Sequence, residues 1–269
     1  MTTSTDSKMV TITFGDVAEN HVGMQQIGTK SRKGFDLADL KYIERMFKER
    51  GAKTTKIYDL KELSGATNLI SKDTNDAYVL VIKNGAKYLG YGDVNGLYAE
   101  QLGLNWDTKA KMRGVVKNKR VRYNLCYADA AQEPDYDNDK GRIYDFRDLS
   151  LLHEVRRSLS MVIPSNDDHY RLPAEGNYYY DISKCGIHYH GDAERKKVIA
   201  IRLGASMPIC YRWYHRYGQV GNTISIDLDH GDIYVMSEKA TGNDWKSSSK
   251  YTLRHATGSS TYTNPKPKK

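Results

Sequence analysis

From Asn177 to Gly258 the chain breaks into seven short runs, NYYYDI, GIHYHGD, KVIAIRLG, ICYRWYHRYG, TISIDLDHGD, IYVMS and KYTLRHATG, separated by glycine-bearing or polar turns. Runs of this length, rich in Ile, Val, Tyr and Thr, are strands, and so many at this spacing indicate an all-β sandwich or barrel. The first half has a different texture. DLADLKYIERMFKER, residues 36–50, puts Leu40, Ile43 and Phe47 on one helical face, with Asp36 as N-cap and Gly51 as stop. TKIYDL and AYVLVIK read as strands, and LSLLHEVRRSL as a second amphipathic helix using Leu151, Leu152, Val155 and Leu159. The expected class is therefore α+β. An α/β N-terminal region over 1–105 precedes a β-rich domain over 106–269, and no internal repeat is visible.

With 39% hydrophobic and 28% charged residues and 6 prolines, the 269-residue chain has the composition of a folded protein. No apolar run approaches the roughly 20 residues that a bilayer span needs. The start, MTTSTDSK, has no apolar leader core, so a cytoplasmic or nuclear setting without a membrane partner is expected. Cys126, Cys185 and Cys210 form no CxxC pair, which suggests neither a disulfide framework nor a cysteine zinc site. Both polar ends, the second carrying Pro265 and Pro267, are expected to be mobile.

Lysine and arginine exceed aspartate and glutamate by 41 − 33 = 8. That balance favours a polyanionic partner such as nucleic acid, and also serves plain solubility. The charge is concentrated in KAKMRGVVKNKRVR, where Lys109, Lys111, Arg113, Lys117, Lys119, Arg120 and Arg122 stand without an acid. Two readings follow. One is a basic lid over 109–130 in which Lys117, Lys119, Arg120 and Arg122 contact phosphates while Tyr123 and Tyr127 stack on a base. The other is a solvated edge strand guarded by its lysines. A count of 21 Tyr against 4 Phe and 3 Trp suits a wet binding groove as well as amphipathic core edges.

GIHYHGD carries the chemistry. A strand there places His188, His190 and Asp192 on one face, because side chains alternate with period two. An H-x-D pair joined by a later third ligand is the two-histidine, one-carboxylate arrangement, which leaves positions open on Fe(II) for a chelating cosubstrate and dioxygen. Five of the eight histidines, His188, His190, His215, His230 and His255, fall in this β-rich segment.

At this point the sequence resembles the AlkB-like Fe(II)/2-oxoglutarate-dependent dioxygenases. The resemblance is an ordered set: N-x-Y at Asn177-Tyr178-Tyr179, H-x-D at His190-Gly191-Asp192, KVIAIRLG, HGDIYVMS and KYTLRHATG, with KNKRVRYNLCYAD matching the family's nucleotide-recognition lid. It implies a double-stranded β-helix (jelly-roll) core, Fe(II), 2-oxoglutarate and dioxygen, and oxidation of alkylated or methylated bases in nucleic acid. By position, His190 and Asp192 would bind iron and Asn177 and Tyr179 would contact 2-oxoglutarate. Arg254, or failing it Lys250, would neutralise the distal carboxylate of the cosubstrate.

The chain departs from the family at the distal histidine, which should fall near Asp244-Trp245-Lys246. His255 is the next candidate, but alternation sets it opposite Lys250, Thr252 and Arg254, and both faces can point inward only across a bulge. Lys246 or Asp244, His188 or His230, and no third protein ligand are the alternatives. The structural readings are a pocket role for His188, a turn for His230, packing for Trp245 and a solvated charged turn at ERKK. Two further functions stay open, a 2-oxoglutarate-dependent hydroxylase of a protein side chain or small molecule, and a nucleic-acid-binding relative without catalysis.

Overall fold

The structure is a computed structural model that describes residues 7–70, 74–164 and 172–264. Of the ends expected to be mobile, residues 1–6 and 265–269, with Pro265 and Pro267, lie outside the described residues, whereas Ser260–Thr263 form a short helix that buries Tyr262. In chain order the strands are β1 (Met9–Gly15), β2 (Val17–Glu19), β3 (Gln26–Gly28), β4 (Thr55–Asp59), β5 (Tyr78–Ile82), β6 (Lys109–Met112), β7 (Val115–Asn118) and β8 (Tyr123–Ala128). They continue with β9 (Ile143–Asp145), β10 (Ala174–Tyr179), β11 (Gly186–His190), β12 (Val198–Gly204), β13 (Ile209–His215), β14 (Gly218–Ile226), β15 (Ile233–Met236) and β16 (Thr252–Gly258).

The architecture is α+β, built in three layers. An eight-stranded sheet runs β4-β5-β15-β12-β1-β10-β8-β9, and a four-stranded sheet runs β11-β16-β13-β14. On one face of the large sheet, Val10, Ile12, Leu80, Leu125, Ile199, Ile201 and Val235 pack against Leu40, Ile43, Phe47, Leu97, Leu152, Val155 and Leu159 of three helices. On its other face, Val79, Val198, Ala200 and Met236 meet Ile209, Tyr211, Trp213, Ile224 and Leu253 of the small sheet. Central strands covered on both faces read as unbroken apolar runs, which explains VIAIRLG and YVLVI.

Local signals behave as their chemistry requires. The helix Leu37–Glu49 starts at Asp36, whose carboxylate accepts from Asp39 N while the Asp39 carboxylate accepts from Asp36 N, a reciprocal capping box. It ends before Gly51, at φ +99°. The second helix spans Ser150–Ser160 and buries Leu152, Val155 and Leu159. All seven runs of the C-terminal half are strands, with β14 starting at Gly218, ahead of TISI.

The division at residue 105 does not hold. β1 is inserted between β10 and β12, and β5 pairs with β15, so residues before and after the expected boundary share one sheet and one core. The reason is burial: MVTITFG is apolar or threonine-bearing throughout and is covered on both faces only inside the sheet.

Candidate metal centre

The small sheet covers the β5–β15–β12 half of the large one. Beyond β12, the inward side chains of β1 and β10 are instead polar: Thr11, Thr13, Glu175 and Asn177. There a cavity of about 430 Å³ opens between the sheets, lined also by Tyr179, Arg202, Tyr234 and Trp245 and by the ends of β11 and β16.

His190 and His255 face each other across β11 and β16 as register partners. Their rings are 4.5 Å apart. Asp192 follows the strand end, its amide donating to Thr241 O at 2.9 Å. Gly191 between them is required by space, since a Cβ there would meet Gly242 O at 2.1 Å and Trp245 Cδ1 at 2.7 Å. The Nε2 atoms of His190 and His255 each lie 3.6 Å from Asp192 Oδ1. All three ligand atoms fall within 4.8 Å of one another. Bonds of about 2.1 Å at right angles would space ligand atoms about 3 Å apart, so a cation needs only a small inward movement.

The tautomers suit that role. His190 Nδ1 lies 2.8 Å from His188 O, which accepts its proton and leaves Nε2 as the lone pair facing Asp192. Burial pushes His255 well below the usual histidine range, and His190, Arg195 and Arg202 add to the shift. A neutral imidazole is the form that binds a metal. Among the described residues the buried His255 Nδ1 has no hydrogen-bond partner. Burial also raises the Asp192 carboxyl, against the attraction of Arg195.

Around the triad the wall is charged. Arg195 donates to Glu175 and Glu194 and lies 3.9 Å from Asp192. Burial pushes Glu175 up, but Arg195 and the Asn177 amide outweigh it and hold it below the usual value. ERKK is thus no solvated turn, because Arg195 and Lys197 are both buried. Asn177 accepts from Arg122 Nε at 2.6 Å and donates to Glu175 at 2.8 Å. Tyr179 is buried and pushed up to about 12, so its hydroxyl stays protonated. Further out, burial lifts Glu19 and Glu194 above the usual carboxylate range, and neighbouring carboxylates add to both shifts.

Arg254 and Lys250 are elsewhere. The bulge falls in β11, between Ile187 and His190, while β16 alternates regularly and sends Arg254 to the face opposite His255. Arg254 stacks over Tyr214 at 4.2 Å, and Lys250 is exposed; neither lines the cavity. Among the described residues three guanidiniums do, those of Arg122 and Arg195 and that of Arg202 on β12, which is 1% exposed. Arg202 donates to Thr257 Oγ1 at 3.1 Å and has no carboxylate partner among the described residues. A single charge at an inward position of the apolar run VIAIRLG was the signal that sequence reasoning passed over.

The alternative ligands are otherwise engaged. Asp244 accepts from Lys239 at 2.7 Å, and Lys246 lies exposed over Trp245. His230 Nδ1 accepts from Gly204 N, and His188 packs on Tyr262. Trp245 packs against Gly191 and also lines the cavity.

The basic segment is divided. β6 and β7 form a hairpin whose groove is lined by Lys109, Lys117 and Arg120 over Met112, Val116 and Val121. Lys119, however, is 6% exposed and donates to Asn20 Oδ1 at 2.9 Å, so it cannot serve a phosphate as expected. Arg122 turns into the cavity toward Asn177. The second half of the expected lid is β8, a strand of the large sheet, where Tyr127 is fully buried on Gln101 and cannot stack on a base. Tyr123 stacks on Tyr180 at 4.8 Å.

No family model matches the sequence. No helix among the described residues is long and apolar enough to cross a membrane. The chain is 47% identical over 249 residues to uncharacterized protein R156 of Acanthamoeba polyphaga mimivirus, an alignment covering 93% of this chain and 95% of that protein. With such identity along nearly the whole of both chains, the protein belongs to the family of mimivirus R156.

Proposed function

We propose that the protein is an Fe(II)- and 2-oxoglutarate-dependent dioxygenase acting on alkylated bases of nucleic acid. The observation that carries this reading is the His190, Asp192 and His255 triad at the edge of a cavity that also holds a buried arginine without a carboxylate. The strand order supports it. Strands β10 to β16 alternate between the sheets so that β10, β12 and β15 lie in the large one and β11, β13, β14 and β16 in the small one. With β1 in the gap between β10 and β12, this order is compatible with an eight-stranded jelly roll in which β1 would take the last place.

His190, Asp192 and His255 would hold the iron. Arg202, with Thr257 and Tyr179 beside it in the cavity wall, would hold the distal carboxylate of 2-oxoglutarate in place of Arg254. Fe(II) so bound supplies dioxygen activation, coupled to oxidative decarboxylation of the cosubstrate to succinate and carbon dioxide. The protein's share is to keep the His255 imidazole neutral, to exclude water between the sheets and to neutralise the carboxylate. Glu19 and Glu194 both line the cavity, and their acidic side chains favour a base that gains positive charge on alkylation. The hairpin groove of Lys109, Lys117 and Arg120 supplies phosphate contacts.

An anaerobic titration with Fe(II) and 2-oxoglutarate tests this reading. The expected result is a visible charge-transfer band that saturates at one equivalent of iron and is absent from His190→Ala. No band, or the same band in that variant, overturns it.

A further inference from the structure

On the outer face of the four-stranded sheet, away from the cavity, Arg212 of β13 and Arg254 of β16 are register partners directly across the two strands. Like charges in that position destabilise a sheet, so a fold with no use for them would separate or neutralise them. This one does neither. Among the described residues no carboxylate pairs with either guanidinium. Each is instead spread on an aromatic ring, Arg212 over Tyr189 at 4.3 Å and Arg254 over Tyr214 at 4.2 Å and Trp245 at 5.2 Å. Arg212 is further fixed by donation to Thr223 Oγ1 at 2.8 Å and Thr263 O at 3.2 Å, while Arg254 Nε is buried with no partner. Two planar forks are thus held in place with donor capacity unspent.

The surroundings extend the positive field. Lys246 lies over Trp245, and Lys250 is exposed in the same loop. At the β13–β14 turn Arg216 and Tyr217 both take left-handed backbone, φ +48° and +69°, a strained conformation for bulky residues that holds two exposed side chains out at the end of the sheet. Asp227, the exposed acid beyond β14, pairs with neither guanidinium.

We propose that this outer face is a second binding surface, on which Arg212, Arg254 and the cations beside them hold the phosphodiester backbone of a nucleic-acid strand. The cations spread across the sheet and along its end instead of converging on one pocket, which fits a polymer of phosphates better than a single anion. Immobilised guanidinium forks suit phosphate oxygens, and tyrosine faces beside them suit bases. Trp245 belongs to both places, lining the cavity and lying under Arg254, so the surface runs up to the cavity rim. The identity of the polymer rests on the nucleic-acid reading above; the presence of an anion-binding face does not.

The test is fluorescence anisotropy of a labelled single-stranded 20-mer on the full chain, without iron or cosubstrate. Arg212→Gln/Arg254→Gln should weaken binding about tenfold or more and reduce the slope of log affinity against log salt by about 1.4, at about 0.7 per lost contact on a single strand. The substitutions remove a repulsion along with the ring and hydrogen-bond contacts of two surface side chains, so the double variant should stay folded, which thermal unfolding checks. Unchanged affinity and slope in that folded variant overturn the proposal. Should it not fold, Lys246→Gln/Lys250→Gln alters only exposed side chains, and an unchanged slope there has the same force. Equal loss of binding to polyglutamate and to the oligonucleotide would reassign the face to an acidic protein and overturn the choice of nucleic acid. Loss of oligonucleotide binding together with a failed iron titration would keep this surface and remove the dioxygenase.

Discussion

The two faces of the four-stranded sheet carry opposite chemistries, and β16 contributes to both within two residues. His255 points between the sheets, where burial keeps it neutral beside His190 and Asp192. Arg254 points outward, stacked on Tyr214. Adjacency in sequence is separation in a sheet. A strand can present a metal ligand to the cavity between the sheets and a cation to the outside without either disturbing the other, because the pleat sends consecutive side chains apart.

The largest expected effect breaks the inner face. His190→Ala, Asp192→Ala and His255→Ala should each reduce iron-dependent succinate formation to background while thermal unfolding stays close to wild type, since each removes a ligand and not a core apolar group. Turnover in His255→Ala would move the third ligand elsewhere.

The next contrast sets the two arginines against each other. Arg202→Ala should raise the 2-oxoglutarate concentration for half-saturation about tenfold or more, as expected for a lost charge-assisted bond worth roughly 1.5 to 3 kcal/mol. Arg254→Ala should leave that concentration unchanged. The reverse result would place the cosubstrate against the outer face and dissolve the distinction.

Within the basic segment the same inside–outside contrast recurs at smaller size. Lys117→Gln/Arg120→Gln should flatten the salt dependence of oligonucleotide affinity by about 1.4 to 1.8, at 0.7 to 0.9 per contact. Lys119→Met should leave that slope untouched, because its ammonium is buried on Asn20.

The smallest effect is one of pH. Burial lowers Lys119 to about 8, while the unfolded chain keeps that proton to about 10.5. Between those values the unfolded state binds more protons, so this group's contribution to stability rises with pH from about 8 toward 10.5. Thermal unfolding at pH 7 and pH 10 should show a rise from this group that Lys119→Met lacks. An identical pH dependence in wild type and variant would mean that Lys119 titrates as an exposed lysine.

Local reading succeeded for several elements and failed at ERKK, where Arg195 and Lys197 are buried. The capped helix beginning at Asp36, the apolar strands and the seven-strand texture after Asn177 follow from periodicity and turn chemistry, which act over a few residues. His190 and Asp192 were legible because their spacing is itself a strand period. Arg254 was misplaced because nothing local says which strand of a pair carries a bulge, and the bulge went to β11.

Hydrophobic period and glycine turns are properties of the chain, and they were enough to place the helices at residues 36–50 and 149–159 and the strands after Asn177. Only the tertiary structure decided that β1 enters the middle of a sheet built mostly from later strands, and that Arg202 faces the cavity while Arg254 does not. It also decided that Lys119 is buried while Lys117 lines an open groove. Those outcomes depend on burial shared between segments far apart in the chain: an inward position acquires its chemistry only when the opposing sheet either covers it with apolar side chains or, as beyond β12, leaves it open.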